Sequence, residues 1–177
     1  MKQVFLFASI GVASGVLMTN LYTSIVDVPA WGHNIPESIN TARQYFSASN
    51  PGNFFRIFSP LNQLLGLLAF LLSWKQGKQV RLLLGAALAM YFIGEGMTFK
   101  YFYPRNEILF MSNIADEQVL RETWEQWRSM NWVRSAVVLI GIICSFSAVH
   151  VIYSGRKTGS KTLYNPSQKQ ANLVLQD

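Results

Sequence analysis

The stretch LLGLLAFLLSWKQGKQVRLLLGAALAMYF, residues 64–92, contains two apolar runs separated by a short basic connection. Neither run shows the alternating pattern of a barrel strand. A backbone surrounded by lipid must satisfy its own hydrogen bonds, so the two runs are predicted to form membrane-spanning helices.

Two further apolar segments lie outside this stretch, one at each end of the sequence. Only 14% of the 177 residues are charged, against about 25% in an ordinary soluble domain. An apolar helix needs about 20 residues to cross a bilayer, and the segments that reach or approach this length are 4–26, 58–74, 81–103 and 132–153. We therefore predict an all-α protein, with a four-helix transmembrane bundle over residues 1–153 and a polar, flexible cytoplasmic tail over 154–177.

The first segment has an alternative interpretation as a secretory signal. Lys2 is followed by an apolar run and by the small residues Ala13, Ser14 and Gly15, an order that is typical of a cleaved leader. The apolar run continues to Val26, which is long for the core of a signal. We therefore favour a helix that is retained in the mature protein.

The distribution of charge predicts an orientation. The connection KQGKQVR (75–81), the N-terminus and the tail carry lysine and arginine, whereas the eight acidic residues between Asp27 and Glu125 lie toward the opposite ends of the spans. The positive-inside rule then places both termini in the cytoplasm, in a bacterial inner membrane, with 27–57 and 104–131 facing outward as helical segments. The formal charge of +6 is interpreted as this topology signal, with attraction to membrane lipids and no nucleic-acid partner.

The sequence contains little that would hold a metal or cofactor. Its single cysteine, Cys144, and its two histidines, His33 and His150, exclude a disulfide framework and the usual zinc clusters. There is no phosphate-binding loop and no dinucleotide fingerprint. We expect no metal and no cofactor.

Polar residues recur toward the outward-facing ends of all four spans, where burial in a membrane is costly. Glu95 follows Arg81 by 14 residues, or about 21 Å along a helix, which places it well beyond the midplane. Together these residues outline a polar cup open to the outside; its members are Asn20 and Asp27, Asn62, Glu95, and the stripe Trp124, Trp127, Asn131 and Arg134. The alternative is that they only hold the helices together, with Glu95 and Arg134 as a structural pair.

Two short motifs resemble the anthrone oxygenase-like family of small four-span membrane proteins. YPRNEIL (103–109) contains a Pro-x-Asn motif after the third span, and W-x-x-W-x-x-x-N-W-V-R-S (124–135) leads into the fourth. The first span, with its glycines, Leu21 and Tyr22 and the following Pro29, is also similar to the opening of that family. The resemblance covers residues 4–153.

The resemblance implies an activity and a set of residues. Some relatives are associated with the oxidation of anthrones to anthraquinones without a metal or flavin, and most have no known role. By motif position the resemblance carries over Asn106, Trp124, Trp127, Asn131 and Arg134, whereas Glu95 and Asp27 rest on the membrane-depth argument alone. On this hypothesis Glu95 removes a C–H proton and Arg134 stabilises the resulting enolate.

Two other functions remain open at this stage. The cup could hold a small hydrophobic ligand, such as a quinone or lipid, without chemistry. Alternatively, the protein could be a non-catalytic accessory subunit that docks a membrane protein partner through its amphipathic 116–131 segment. A direct Glu95–Arg134 pair would favour a structural role, and an open pocket between them would favour ligand chemistry.

Overall fold

The structure, a computed structural model, describes residues 2–162. All regular structure in that part of the chain is helical. Five helices form its framework: α1 (Lys2–Tyr22), α2 (Glu37–Phe46), α3 (Gly52–Leu72), α4 (Lys78–Met97) and α5 (Glu117–Thr162).

Four helical stretches are long and apolar enough to cross a membrane, which confirms the predicted fold class. They are Gln3–Trp31, Gly52–Leu72, Lys78–Met111 and Glu117–Ser154. Each overlaps one predicted span, but all four extend beyond the predicted limits, by five residues or more, at the same end of the bundle. The apolar runs therefore located the spans, whereas the polar helical extensions carried too little hydrophobicity to be assigned to them.

The four long helices alternate in direction around a closed bundle. Helices α1 and α4 each contact both α3 and α5, and α3 and α5 do not pack extensively on each other. We call the end that carries Lys2 and the 73–77 connection the near end. Gly77 in this connection has φ +110°, a conformation that glycine adopts at little steric cost. The opposite end, which carries α2 and residues 98–116, is the far end.

Two of the long helices widen into a π turn as they approach the far end. In Thr23–Asp27 and Thr98–Phe102, the turn closes with an N–H bond to the carbonyl five residues earlier, from Val28 to Thr23 and from Tyr103 to Thr98. Pro29 and Pro104 follow these turns immediately. Proline lacks the N–H of a regular turn and its ring crowds the carbonyl four residues before it, so the wider turn lets each helix continue.

The apolar core consists of three clusters along the bundle. The near-end cluster includes Leu6 and Leu84, the middle cluster includes Tyr91 and Ile142, and the far-end cluster includes Trp127. The far-end cluster also contains buried residues of the two segments at this end, 32–51 and 98–116, which we call the connecting segments. Among these buried residues are Ile35, Ile39, Ala42 and Leu109. The connections are therefore a packed cap on the bundle.

Arg43 ties the two connecting segments together. Its Nε donates to the Leu109 carbonyl at 2.9 Å, and Nη2 donates to the carbonyls of Ile108 and Ile114, each at 3.0 Å. These carbonyls lie at or just beyond the end of a helical stretch, where backbone acceptors lack partners. Partial burial lowers the pKa of the Arg43 guanidinium.

Helix α5 is continuous from the far end to Thr162, so the amphipathic 116–131 segment and the fourth predicted span belong to one helix. The predicted tail starts at residue 154, within this helix, and residues 163–177 lie outside the described part of the chain. The far end is where the polar side chains of the four helices meet.

Candidate functional site

A cavity of about 390 Å³ lies at the far end, within the size range of small-molecule sites. Its walls come from the extensions of α1 and α4, from α2, from the first turn of α3 and from α5. Seven of the nineteen lining residues are aromatic, among them Trp31, Phe46, Phe55, Phe102, Phe110 and Trp127.

The aromatic rings form a connected set of edge-to-face contacts. The Trp31 ring centroid lies 4.9 Å from that of Phe110 and 5.4 Å from that of Trp127, and Trp127 lies 5.2 Å from Phe102. Such pairs add stability beyond their buried area and hold the rings in place. The cavity therefore has a pre-formed aromatic wall.

Arg134 is the one charged side chain among the buried residues that the structure describes, at 6% exposure. Its Nη2 donates to Asn20 Oδ1 at 3.0 Å and to Asn131 Oδ1 at 2.6 Å, and its Nη1 donates to Thr98 Oγ1 at 3.4 Å. Its Nε has no hydrogen-bond partner. The guanidinium is thus held by neutral acceptors from α1, from the extension of α4 and from α5 itself, and its Nε–H is unused.

The ring of Phe102 faces the same guanidinium. Its centroid lies 3.9 Å from Arg134 Cζ, and the Phe55 ring lies 5.3 Å away. A cation over an aromatic face is stabilised electrostatically, more so where water is excluded. The two aromatic rings therefore stabilise the positive charge of Arg134, as a paired carboxylate would do.

Glu95 lines the cavity beside Arg134 but forms no ion pair with it. The carboxylate is half-buried, with the Ser59 side chain as a neighbour. No Arg134 nitrogen lies within 4.0 Å of a Glu95 carboxylate oxygen. The two charges therefore face a common space and are not a closed structural pair.

A smaller cavity of about 30 Å³ adjoins this position and has room for about one water molecule. It shares Glu95 and Arg134 with the larger cavity and adds the amides of Asn20 and Asn62. Asn62 is buried and accepts a hydrogen bond from the Ser9 hydroxyl at 3.4 Å. The polar lining thus continues below the aromatic chamber.

The two sequence motifs meet directly at the cavity. Trp127 Nε1 donates to Asn106 Oδ1 at 2.7 Å, joining the Pro-x-Asn turn after α4 to α5. Both residues line the cavity. This bond fixes the plane of an indole that is part of the aromatic wall.

Two other motif residues bind backbone and line neither cavity. Trp124 Nε1 donates to the Val28 carbonyl at 2.8 Å. Asn131 is fully buried, and its Nδ2 donates to the Asn20 carbonyl at 3.1 Å and to Ser24 Oγ at 2.7 Å. These side chains hold α5 against α1, and Asn131 also positions Arg134.

The nine predicted site residues thus separate into three groups. Glu95, Asn106, Trp127 and Arg134 line the large cavity, and Asn20 and Asn62 line the small one together with Glu95 and Arg134. Asp27, Trp124 and Asn131 line neither. Asp27 lies half-buried in the π turn Thr23–Asp27.

Several cavity residues were not predicted from the sequence, including Arg43, Phe55, Arg56 and Phe102. Phe55 and Arg56 lie before residue 58, where the second span was predicted to begin. A cationic residue within one helical turn of an apolar run was the signal that could have identified Arg56. The described residues contain no group of three or more His, Cys, Asp or Glu side chains placed to hold a metal ion.

Comparison with known proteins gives one match. The family model described as anthrone oxygenase matches residues 54–144, which is about half of the chain and includes α4, both motifs and most of the cavity lining. No curated protein and no solved structure shows a significant match.

Proposed function

Because the chain belongs to the anthrone oxygenase family, we propose that it binds a flat aromatic ligand in the far-end cavity and promotes its oxidation by dioxygen. One observation carries this proposal: Glu95 and Arg134 line the same aromatic-walled cavity without pairing with each other. A base and a cation that face a common space can act on opposite ends of one ligand.

Binding would rest on the aromatic wall. Trp31, Phe102 and Trp127 are already fixed by edge-to-face contacts, so little side-chain ordering is needed when a planar ring enters. Pre-organisation of this kind raises affinity because fewer degrees of freedom are lost on binding.

The chemistry begins with proton transfer. The Glu95 carboxylate removes one of the two C–H protons opposite the anthrone carbonyl, and the electron pair moves into the ring system to give an enolate. The Arg134 guanidinium, which lines the same cavity, stabilises the negative oxygen of this enolate. Stabilisation of the enolate relative to the ketone lowers the barrier for the proton transfer.

Dioxygen completes the reaction. One electron passes from the enolate to dioxygen, and the two radicals combine into a C–O bond. The protonated Glu95 returns its proton to the peroxide anion, which gives a hydroperoxide. Loss of the second C–H proton and cleavage of the O–O bond then yield the quinone carbonyl and one water molecule.

The test is dioxygen uptake with 1,8-dihydroxyanthrone and the purified chain, corrected for spontaneous oxidation. Glu95→Gln should reduce the protein-dependent rate at least about 100-fold, the usual contribution of a general base. Glu125→Gln is the matched control, because Glu125 is exposed on α5 and lines neither cavity. Undiminished turnover in Glu95→Gln, with an unchanged thermal unfolding midpoint, would contradict the proposal.

Ligand binding can be tested separately from turnover. Native mass spectrometry of the protein gently extracted from its host membrane should find a retained aromatic molecule. An empty cavity together with a stoichiometric protein partner would contradict the proposal and favour an accessory subunit.

The orientation in the membrane is part of the same proposal. Lysine and arginine without acidic neighbours at the N-terminus and in the 75–81 connection support cytoplasmic termini in a bacterial inner membrane, with the cavity facing outward. An outward cavity would take its ligand from the outer leaflet or from the space beyond it.

A further inference from the structure

The charged residues that line the far-end cavity are unequal in number. Arg43, Arg56 and Arg134 contribute three cations, and Glu95 contributes the one carboxylate of the lining. An excess of positive charge in a partly enclosed site attracts anions, since low-dielectric walls concentrate the field. The excess can attract a ligand only if the hydrogen-bond donors of the arginines are not already occupied by groups of the protein itself.

The hydrogen-bond donors of Arg43 are already occupied by other groups of the protein. Its guanidinium makes four hydrogen bonds, three to backbone carbonyls and one to Asn40 Oδ1 at 3.0 Å. A guanidinium has five N–H donors, so little capacity remains for a ligand. Arg43 therefore has a structural role, because its guanidinium is bound mainly by backbone carbonyl oxygens.

Only some of the hydrogen-bond donors of Arg134 are occupied by other groups of the protein. It is buried, its hydrogen-bond acceptors are neutral, and its Nε–H has no partner. Burial of a charge without an ion pair is costly unless a counter-charge arrives. Arg134 therefore places a positive charge without an ion pair on the cavity lining, and this charge is the observation that points to an anionic ligand.

Arg56 has no partner among the described residues. It is exposed in the first turns of α3, lines the cavity, and makes no hydrogen bond, ion pair or ring contact there. The adjacent Phe55 has its ring beside Arg134. Arg56 and Arg134 thus both line the cavity, the first exposed and the second buried.

We propose that the ligand is an aromatic carboxylate, with its carboxylate bound by Arg56 at the rim and its ring held between Arg56 and Arg134. Arginine binds carboxylates through two parallel N–H donors, and a single unpartnered guanidinium at the rim matches one such group. The aromatic lining favours a planar ring over the acyl chains of an anionic lipid. This inference rests on the proposed function, because it specifies the ligand of the same cavity.

The test compares two probes that share one ring system. The full chain in phosphatidylcholine nanodiscs is titrated with anthraquinone-2-carboxylate and with uncharged 9,10-anthraquinone, and quenching of tryptophan fluorescence is followed. The carboxylate should bind roughly tenfold more tightly, the gain expected from one charge-assisted interaction. Arg56→Gln should reduce the ratio of the two affinities below about threefold, and Arg56→Lys should restore part of it.

Arg128→Gln is the matched control, because Arg128 is exposed on α5 and lines neither cavity; it should leave the ratio unchanged. Equal affinity for the two probes in the parent protein, or an intact preference in Arg56→Gln, would overturn the carboxylate assignment while the proposed function stands. If neither probe binds, both proposals are wrong.

A further arm separates an aromatic acid from a lipid headgroup, which offers the same anionic chemistry. The titration is repeated in nanodiscs that contain phosphatidylglycerol. An unchanged affinity for the carboxylate probe supports the aromatic acid. Competition by phosphatidylglycerol that Arg56→Gln relieves would assign the site to a lipid phosphate and overturn the proposal.

Discussion

Arg134 combines two roles that usually exclude each other. Its bonds to Asn20, Thr98 and Asn131 connect α5 to α1 and α4, which is the role of structural glue. Its position on the cavity lining without an ion pair is typical of a binding group. The neutral acceptors fix the guanidinium without cancelling its charge, so the side chain can be rigid and still attract an anion.

Trp127 offers a single-residue test of the cavity wall. Trp127→Phe keeps an aromatic ring but removes the 2.7 Å bond to Asn106 Oδ1. We expect the free energy of unfolding to fall by about 1 kcal/mol, and the affinity for 9,10-anthraquinone to fall severalfold because the ring plane is no longer fixed. Circular dichroism melts and fluorescence titrations measure the two effects.

The control is Trp132→Phe, because Trp132 is 47% exposed on the same helix and lines neither cavity. Equal effects of the two substitutions on ligand affinity would show that the Trp127–Asn106 bond has no special part in binding.

The sequence allowed the polar stripe of α5 to be predicted but not the separate roles of its members. Trp124 and Trp127 are both tryptophans on the same face, yet one binds a backbone carbonyl of the α1 extension and the other lines the cavity. The difference depends on which group the neighbouring helix presents. Arg56 was missed because hydropathy assigned a charged residue to the connection, whereas α3 begins four residues before it.

The π turns are the backbone feature that could not be predicted from the sequence. Pro29 and Pro104 are visible in it, and proline normally ends or kinks a helix. Here the helices continue through the wider turns Thr23–Asp27 and Thr98–Phe102. Each turn places a threonine, Thr23 or Thr98, on the cavity lining, so the irregular backbone builds the site, as π turns often do.

The packing of α4 against α5 depends on Gly141. A Cβ at this position would lie 2.6 Å from Tyr91 Cε1 and 3.3 Å from the Ala87 carbonyl oxygen. Tyr91 cannot move away without cost, because its hydroxyl lies 3.2 Å from Ser145 Oγ in a buried hydrogen bond. Close approach through a small residue is a common way for membrane helices to associate.

We therefore expect Gly141→Ala to lower the free energy of unfolding by about 1–3 kcal/mol, the usual cost of overpacking. Gly11→Ala is the matched control in α1, because a Cβ there meets nothing within 4 Å; alanine is the better helix former by up to about 1 kcal/mol, so stability should stay the same or rise. Thermal unfolding in detergent compares them, and equal midpoints would contradict the close-contact argument.

The whole molecule is polarised along the bundle axis. The near-end and middle clusters are built mainly from small and aliphatic residues, whereas the far end combines an aromatic cluster with the polar layer around Arg134. Fold class could be predicted because span length and apolar composition have few solutions in a bilayer. The cavity could not be predicted from the sequence, because its volume depends on how α2 and the 98–116 segment pack over the bundle.

The same polarity makes a prediction about orientation that can be tested on intact cells. The chain contains one cysteine, Cys144, so a Cys144→Ala background allows single cysteines to be placed at chosen positions. Tyr45 is 79% exposed on α2 at the far end, and Gln79 is exposed in the first turn of α4 at the near end. Lys2 and the 75–81 connection carry the near-end cations within short segments that contain no acidic residue, which favours retention of this end in the cytoplasm. We therefore expect a membrane-impermeant maleimide to label Tyr45→Cys in intact cells and to label Gln79→Cys only after permeabilisation. The reverse pattern would place the cavity on the cytoplasmic side and contradict a ligand supplied from outside.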